Sequence, residues 1–267
     1  MKELFSAAGQ QALREFVCEG VLCLFDFDGT LVPLEPHPEQ VNVPVAVFER
    51  LRRLQQRTPV GIVTGRGLAD MHRMLPFAPD YLIGNHGIEG LPGWEERAGV
   101  FETACEGWRE QIGNALVDID AHIWIEYKRY SLSVHYLHAE RPADAAQRMS
   151  QLFATLSPAP RVITGKHVFN LLPPGASDKG RAVAELMKLT GAPRALYAGD
   201  DVTDEYVFQL VRDDIFTIRV GHSPDSTAAF HIPDHESIAQ LLDLLIESLP
   251  ALREKTPALQ SGPHAGT

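Results

Sequence analysis

Asp26 and Asp28 stand two residues apart in Phe25-Asp26-Phe27-Asp28-Gly29-Thr30, directly after the apolar run Val21-Leu22-Cys23-Leu24. Such a run reads as a buried strand of a parallel sheet. Carboxylates at i and i+2 leave a strand on the same side, and open α/β sheets bind ligands beyond the carboxyl ends of their strands. Gly29 lets the backbone turn tightly there. Two like charges so close are costly unless a cation or a shared proton relieves them. The arrangement suits a magnesium-dependent phosphoryl-transfer site.

Three further groups are expected at the same edge. Thr64-Gly65-Arg66 follows the short strand Val60–Val63. Lys179 opens a helix that begins near Ser177-Asp178, and Gly199-Asp200-Asp201-Val202-Thr203-Asp204-Glu205 follows the strand Ala195–Ala198. A helix first turn is an anion-friendly place for Lys179.

The elements that must position these groups alternate between strand and helix, which indicates parallel βαβ units. A helix is expected from about Pro44, with Val45, Phe48, Leu51 and Leu54 on one face. Another runs to Met74, and the strand Tyr81–Ile83 then ends in Gly84-Asn85-His86-Gly87. The middle of the chain differs. After a turn at Leu91-Pro92-Gly93, a helix is expected from about Glu102 to Val117. His122–Lys128 and Ser131–Leu137 alternate with period two and form a hairpin. A helix near Ala143–Leu156 and a second hairpin, Arg161–Ile163 with Val168–Leu172, follow. Trp124 and His135 are expected in the interior of this insert. From Pro173 the first pattern resumes, with a helix capped at Gly191, the strands already named and Phe216–Val220, and a helix carrying Ile238, Leu241, Leu242 and Leu245. The tail beyond about Lys255 is rich in Pro, Gly and Ser and is expected to be disordered.

In order and spacing these motifs resemble the haloacid dehalogenase superfamily of aspartate-nucleophile phosphatases, across nearly the whole chain. The resemblance implies an α/β fold: a Rossmann-like core with a parallel sheet, formed by residues 1–90 and 174–267, and an inserted α+β cap over 91–173. It implies that Asp26 attacks phosphorus and that Asp28 protonates the leaving oxygen and then activates water. Mg²⁺ would be held by the Asp26 carboxylate, the Asp28 backbone carbonyl and Asp200. Asp201 and Asp204 would support the metal, and Thr64, Gly65, Arg66 and Lys179 would bind phosphate.

Within the superfamily the chain looks like the trehalose-6-phosphate phosphatases. The stretches that carry this are Val63-Thr64-Gly65-Arg66, Gly84-Asn85-His86-Gly87-Ile88-Glu89, Glu126-Tyr127-Lys128, Ser133-Val134-His135-Tyr136, Gly165-Lys166-His167-Val168 and Asp178-Lys179-Gly180. Sugar contacts are implied for Glu126, Lys128, Lys166 and Asn170 on the cap, and for His86 and Glu89 where core meets cap. Leu137 and Asn170 depart from the family pattern, which commonly has Arg and Glu there. A phosphatase for another glycosyl phosphate (sucrose phosphate or a glycosylglycerate phosphate) is therefore an alternative, and a non-catalytic sugar-phosphate sensor is a further one.

Composition restricts the partners. The 267 residues include 24 basic and 35 acidic side chains, a net charge of −11, which disfavours nucleic acid and anionic membranes. No apolar stretch approaches the length of a bilayer span, and no signal-peptide pattern opens the chain. Cys18, Cys23 and Cys105 lack metal-ligand spacing and read as reduced structural thiols. The expectation is a cytoplasmic monomer acting on a small sugar phosphate.

Overall fold

The computed structural model describes residues 1–35 and 41–250; the tail beyond Lys255 and part of the Pro33–Pro38 loop lie outside the described residues. The architecture is α/β. In chain order the elements are β1 (Lys2–Glu3), α1 (Ala7–Phe16), β2 (Leu22–Phe25), α2 (Val45–Gln55), β3 (Val60–Val63), α3 (Leu68–Met74), β4 (Tyr81–Ile83) and α4 (Glu95–Ile119). Next come β5 (Trp124–Tyr127), β6 (Leu132–His135), α5 (Pro142–Phe153), β7 (Arg161–Gly165) and β8 (Val168–Leu172). The chain continues through α6 (Lys179–Thr190), β9 (Ala195–Gly199), α7 (Glu205–Phe208), β10 (Ile215–Val220), β11 (Phe230–Ile232) and α8 (Ile238–Ser248).

Seven strands form a parallel sheet in the order β1-β11-β10-β9-β2-β3-β4. Leu22 and Leu24 of β2 pack toward α6 and α7, while Cys23 and Phe25 pack toward α1, α2 and α8. Burial on both faces is why this strand is a continuous apolar run rather than an alternating one. The strand order reverses between β2 and β9, so the loops after β2, β3 and β9 converge at a topological switch point, the place where open sheets bind ligands.

A second sheet, β5-β6-β8-β7, is antiparallel. Ile125, Tyr127, Leu132, Val134, Phe169 and Leu171 on one face pack against Trp108, Ile112, Met149 and Phe153 of α4 and α5. Alternation puts Trp124, Glu126, Ser133, His135 and Asn170 on the opposite face.

Three sequence readings change here. α4 starts at Glu95, about two turns before the expected Glu102, because Trp94, Ala98 and Phe101 pack against Tyr130, Ile163 and Leu172 and outweigh the weak helix propensity of Gly99. Trp124 is not interior: strand parity places it beside Glu126, 43% exposed, with its ring stacked on His135. The N-terminal segment holds a strand and a helix that the sequence reading passed over. Ser6 caps that helix by accepting from the Gly9 N–H at 3.1 Å, and Leu13 anchors it. Among the described residues no helix is long and apolar enough to cross a membrane.

Candidate active site

Lys179 is the first residue of α6, whose N-cap Asp178 accepts from the Arg181 N–H at 2.9 Å. Its ammonium is buried between two carboxylates, donating to Asp26 Oδ1 at 2.7 Å and to Asp204 Oδ1 at 2.8 Å. Burial alone would discharge this lysine, but Asp204 and Asp26 more than reverse that and raise its pKa. Both Asp204 oxygens are engaged: Tyr197 Oη also donates to Oδ1 at 2.6 Å, and the Asp201 N–H donates to Oδ2 at 2.9 Å. Gly199 makes room for this, since a Cβ there would meet the Asp204 carboxylate at 2.2 Å.

Asp26, Asp200 and Asp204 present carboxylate oxygens that all lie within 4.8 Å of one another. Burial pushes the Asp26 carboxyl well above its usual range; Lys179 pulls it back, and Asp204 and Asp200 push it up again. Asp200, buried beside Asp204 and Asp201, is pushed up to about 7, with Thr30 Oγ1 donating to it at 3.2 Å. Gly29, at φ +80°, lies so close that a Cβ would fall 2.1 Å from Asp200 Oδ2. Crowded hard oxygen donors with like-charge repulsion only partly relieved by one ammonium fit a divalent cation such as Mg²⁺. Asp26 and Asp200 are the better donors, because Asp204 is engaged on both oxygens.

Asp28 turns the other way. Arg66 grips it through both guanidinium edges, Nε to Oδ2 at 2.7 Å and Nη2 to Oδ1 at 2.6 Å, the bidentate fork that planar guanidinium favours. Thr64 is fully buried, its Oγ1 accepting from the Arg66 N–H at 3.2 Å. The Gly65 carbonyl accepts from Lys128 Nζ at 3.2 Å, which ties the second sheet to this loop.

His86 packs edge-on to Gly65, where a Cβ would sit 2.4 Å from the imidazole Cε1. It is buried, and among the described residues neither ring nitrogen has a hydrogen-bond partner. Burial first, then Lys128 and Lys179, hold it well below the ordinary 6.5. The folded protein therefore keeps His86 neutral where the unfolded chain begins to take a proton. Stability from this group is present above pH 6.5 and falls on acidification, by up to about 1.4 kcal/mol per pH unit. The variant His86→Asn, which tolerates the φ of +60°, should lose stability less steeply below pH 6.5 in urea unfolding. Parallel slopes for the two proteins would mean that the proton goes elsewhere.

On the polar face of the second sheet, Glu126 accepts from His135 Nε2 at 2.9 Å and lies 3.5 Å from Lys128 Nζ. Burial pushes its carboxyl up, but Lys128 and His135 pull harder and hold it at about 2. Asn170 is buried and accepts from Ser133 Oγ at 2.6 Å. Lys166 is exposed at the β7–β8 turn, beside Gly165, whose Cβ position is 3.9 Å from Asp201 Oδ2. Glu89 lies farther back, its Oε2 receiving the Leu68 N–H at the start of α3 at 3.2 Å.

Three contributors escaped the sequence reading. Tyr197 is a phenol inside an otherwise apolar strand, and that is the signal, because a buried hydroxyl needs a partner. Asn85 joins the two sheets, donating to the Lys128 carbonyl at 2.9 Å and accepting from Ser131 Oγ. Arg161 of β7 pairs with Asp178 at 3.0 Å. Nothing local marks either of these two.

Comparison with known proteins places this geometry among relatives. A curated relative from Mycobacterium tuberculosis, described as an uncharacterized glycosyl hydrolase, is 31% identical over 238 residues, covering 82% of this chain and 18% of that protein. The trehalose-phosphate phosphatase of Mycobacterium bovis is 29% identical over 243 residues, covering 84% of this chain and 61% of the relative. The chain thus spans less than two thirds of the length of these relatives. A crystal structure of a trehalose-6-phosphate phosphatase related protein superposes with a TM-score of 0.68 at 26% identity, covering 85% of this chain and 97% of that one. The sequence profile of the trehalose-phosphatases matches residues 24–243, from the strand that ends just before Asp26 to the last helix, and the chain belongs to that family.

Proposed function

We propose that this chain hydrolyses trehalose 6-phosphate to trehalose and phosphate, with Asp26 as nucleophile. The observation that carries the reading is the Asp26–Lys179–Asp204 bridge at the β2/β9 switch point, with Asp200 completing an acidic cluster beneath the polar face of the second sheet. A carboxylate oxygen of Asp26 attacks phosphorus as the bond to the sugar oxygen breaks, and Asp28 gives that oxygen a proton. Asp28 then takes a proton from the water that attacks the aspartyl phosphate, which releases phosphate and restores Asp26. Before substrate enters, the Arg66 fork holds Asp28; an incoming phosphate competes for the same guanidinium and frees the carboxyl to work. Lys179 and Thr64 neutralise and orient the phosphoryl oxygens. Mg²⁺, held by Asp26, Asp200 and the Asp28 carbonyl with Asp204 and Asp201 in support, would supply charge neutralisation at phosphorus. The second sheet and its helices act as the cap, with Glu126, Lys128, Lys166 and Asn170 toward the sugar and His86 and Glu89 where cap and core meet.

Phosphate release from a panel of sugar phosphates tests this, with EDTA and with Mg²⁺ restored. The expected result is release from trehalose 6-phosphate that EDTA abolishes and Mg²⁺ recovers. Equal rates in EDTA would remove the metal from the mechanism. Preferred release from a different glycosyl phosphate would support the second reading, which Asn170 favours: it presents an amide to the cap face, already committed to Ser133, and so cannot accept as a carboxylate would.

A further inference from the structure

Trp124 has no place in the chemistry above, yet its setting is ordered. It sits on the polar face of the cap sheet, on the edge strand β5, with its ring parallel to His135 at 4.0 Å and an interplanar angle of 9°. His135 covers one face of the indole and leaves the residue 43% exposed. Of the three tryptophans, Trp108 is fully buried and Trp94 packs edge-on against Tyr130, so Trp124 alone of them is exposed. An isolated exposed tryptophan would be mobile and would need no explanation. This one is held at the end of a continuous series of contacts that starts in the phosphate loop. The Gly65 carbonyl holds Lys128, Lys128 faces Glu126, Glu126 holds His135 and His135 stacks on Trp124.

Spacing gives this series a meaning. Glu126 lies 3.5 Å from the Lys128 ammonium that donates to the Gly65 carbonyl, and so stands next to the Thr64–Arg66 loop. Trp124 lies two residues further along the same strand face, roughly 6.7 Å beyond Glu126. That offset is about the width of one sugar ring. Charged and hydrogen-bonding groups line the near part of this face, and a rigid apolar plate with a polar edge stands at the far part. The near groups suit the hydroxyls of the ring that bears the phosphate. The plate suits the apolar C–H face of a second ring, since amphipathic aromatic rings offer large contact area at low entropic cost.

We propose that the Trp124–His135 stack is the platform for the distal ring of a disaccharide phosphate, and that Trp124 sets substrate length. The inference rests on the sugar-phosphatase reading but adds to it a residue that discriminates one ring from two. Such a contact is made equally in ground and transition states, so its loss raises KM and leaves kcat in place.

The test uses the full chain and the variants Trp124→Ala and Trp124→Phe. In Trp124→Ala, KM for trehalose 6-phosphate and the inhibition constant of trehalose should each rise about ten-fold, the scale of one aromatic contact. The inhibition constant of inorganic phosphate should hold, and Trp124→Phe should recover most of the affinity. Trehalose added with inorganic phosphate should shift the tryptophan emission of the parent protein and leave that of Trp124→Phe unmoved. An unchanged KM in Trp124→Ala, or equal losses for trehalose and for phosphate, would overturn the platform. The catalytic reading fails separately. If the parent protein releases no phosphate from trehalose 6-phosphate while trehalose still shifts the Trp124 emission, the platform stands and the reaction must be reassigned.

Discussion

Asp26→Asn is expected to leave the protein folded and to lower kcat by on the order of 10⁴-fold or more. Asparagine has the shape of aspartate but no charge, so it cannot attack phosphorus as a carboxylate. The fold should tolerate it because the wild-type group is itself electrostatically crowded. Its carboxyl is pushed up by burial and by Asp204 and Asp200, and Lys179 offsets only part of that. In the variant Lys179 retains Asp204 at 2.8 Å, and one of three facing carboxylates is gone. The thermal midpoint should therefore stay level or rise while turnover disappears. Phosphate release in single and multiple turnover, set beside a thermal melt, separates the two effects. Substantial residual turnover in a folded variant would sink the covalent route and shift attention to direct attack by water.

The opposite pattern is expected for Lys179→Met, in which stability and activity fall together. Lys179 is 2% exposed and is the ammonium that Asp26 and Asp204 share. Methionine fills the stem but leaves two buried carboxylates facing each other. Removing one partner of a buried ionic group costs about 3–5 kcal/mol. The phosphoryl oxygens also lose a fixed positive charge, a loss on the order of 10²–10³-fold in kcat. The pH dependence has a definite sign. Without the ammonium, the folded state holds Asp26 protonated even further above its unfolded value of 3.8 than in the wild type. The folded state then binds more protons than the unfolded one, so the deficit shrinks as pH falls through the raised value and is greatest above it. Urea unfolding of both proteins across the acid range reads this directly. A deficit that does not change with pH would mean that the lost lysine mattered for packing rather than for charge.

What the amino-acid order determined by itself is local. Strands β2, β3 and β9 were legible because a strand buried on both faces must be a run of apolar residues, and β4, half-buried at the sheet edge, because it is a short apolar run; the runs end in Gly, Asp or Thr. The hairpins of the second sheet were legible from period-two alternation, and α6 from its Asp178 cap and the left-handed Gly191 at φ +66°. The acidic motifs were recognisable because clustered carboxylates at strand ends have few other uses. Helix α1 was missed although Ser6 stands at its cap position and Gly9, Ala12, Leu13 and Phe16 form its core-facing side.

Which of these groups touch was decided only by the tertiary structure. Asp26 and Asp28 are two residues apart, yet one carboxylate turns to Lys179 and the other to Arg66. The turn after β2 ends the strand alternation on which a common direction depended, and each carboxylate turns to the cation that the fold brings nearest. Asp204 draws Tyr197 of the adjoining strand and Lys179 to one oxygen because α6 packs against α7, and Asp26 reaches the same ammonium because β9 lies beside β2 in the sheet; a strand order of that kind leaves no periodic trace in the chain. The same is true of Trp124. The residue and its alternation were visible in the sequence, but which face of β5 met helices and which met the Thr64–Arg66 loop depended on the seating of the second sheet over the first.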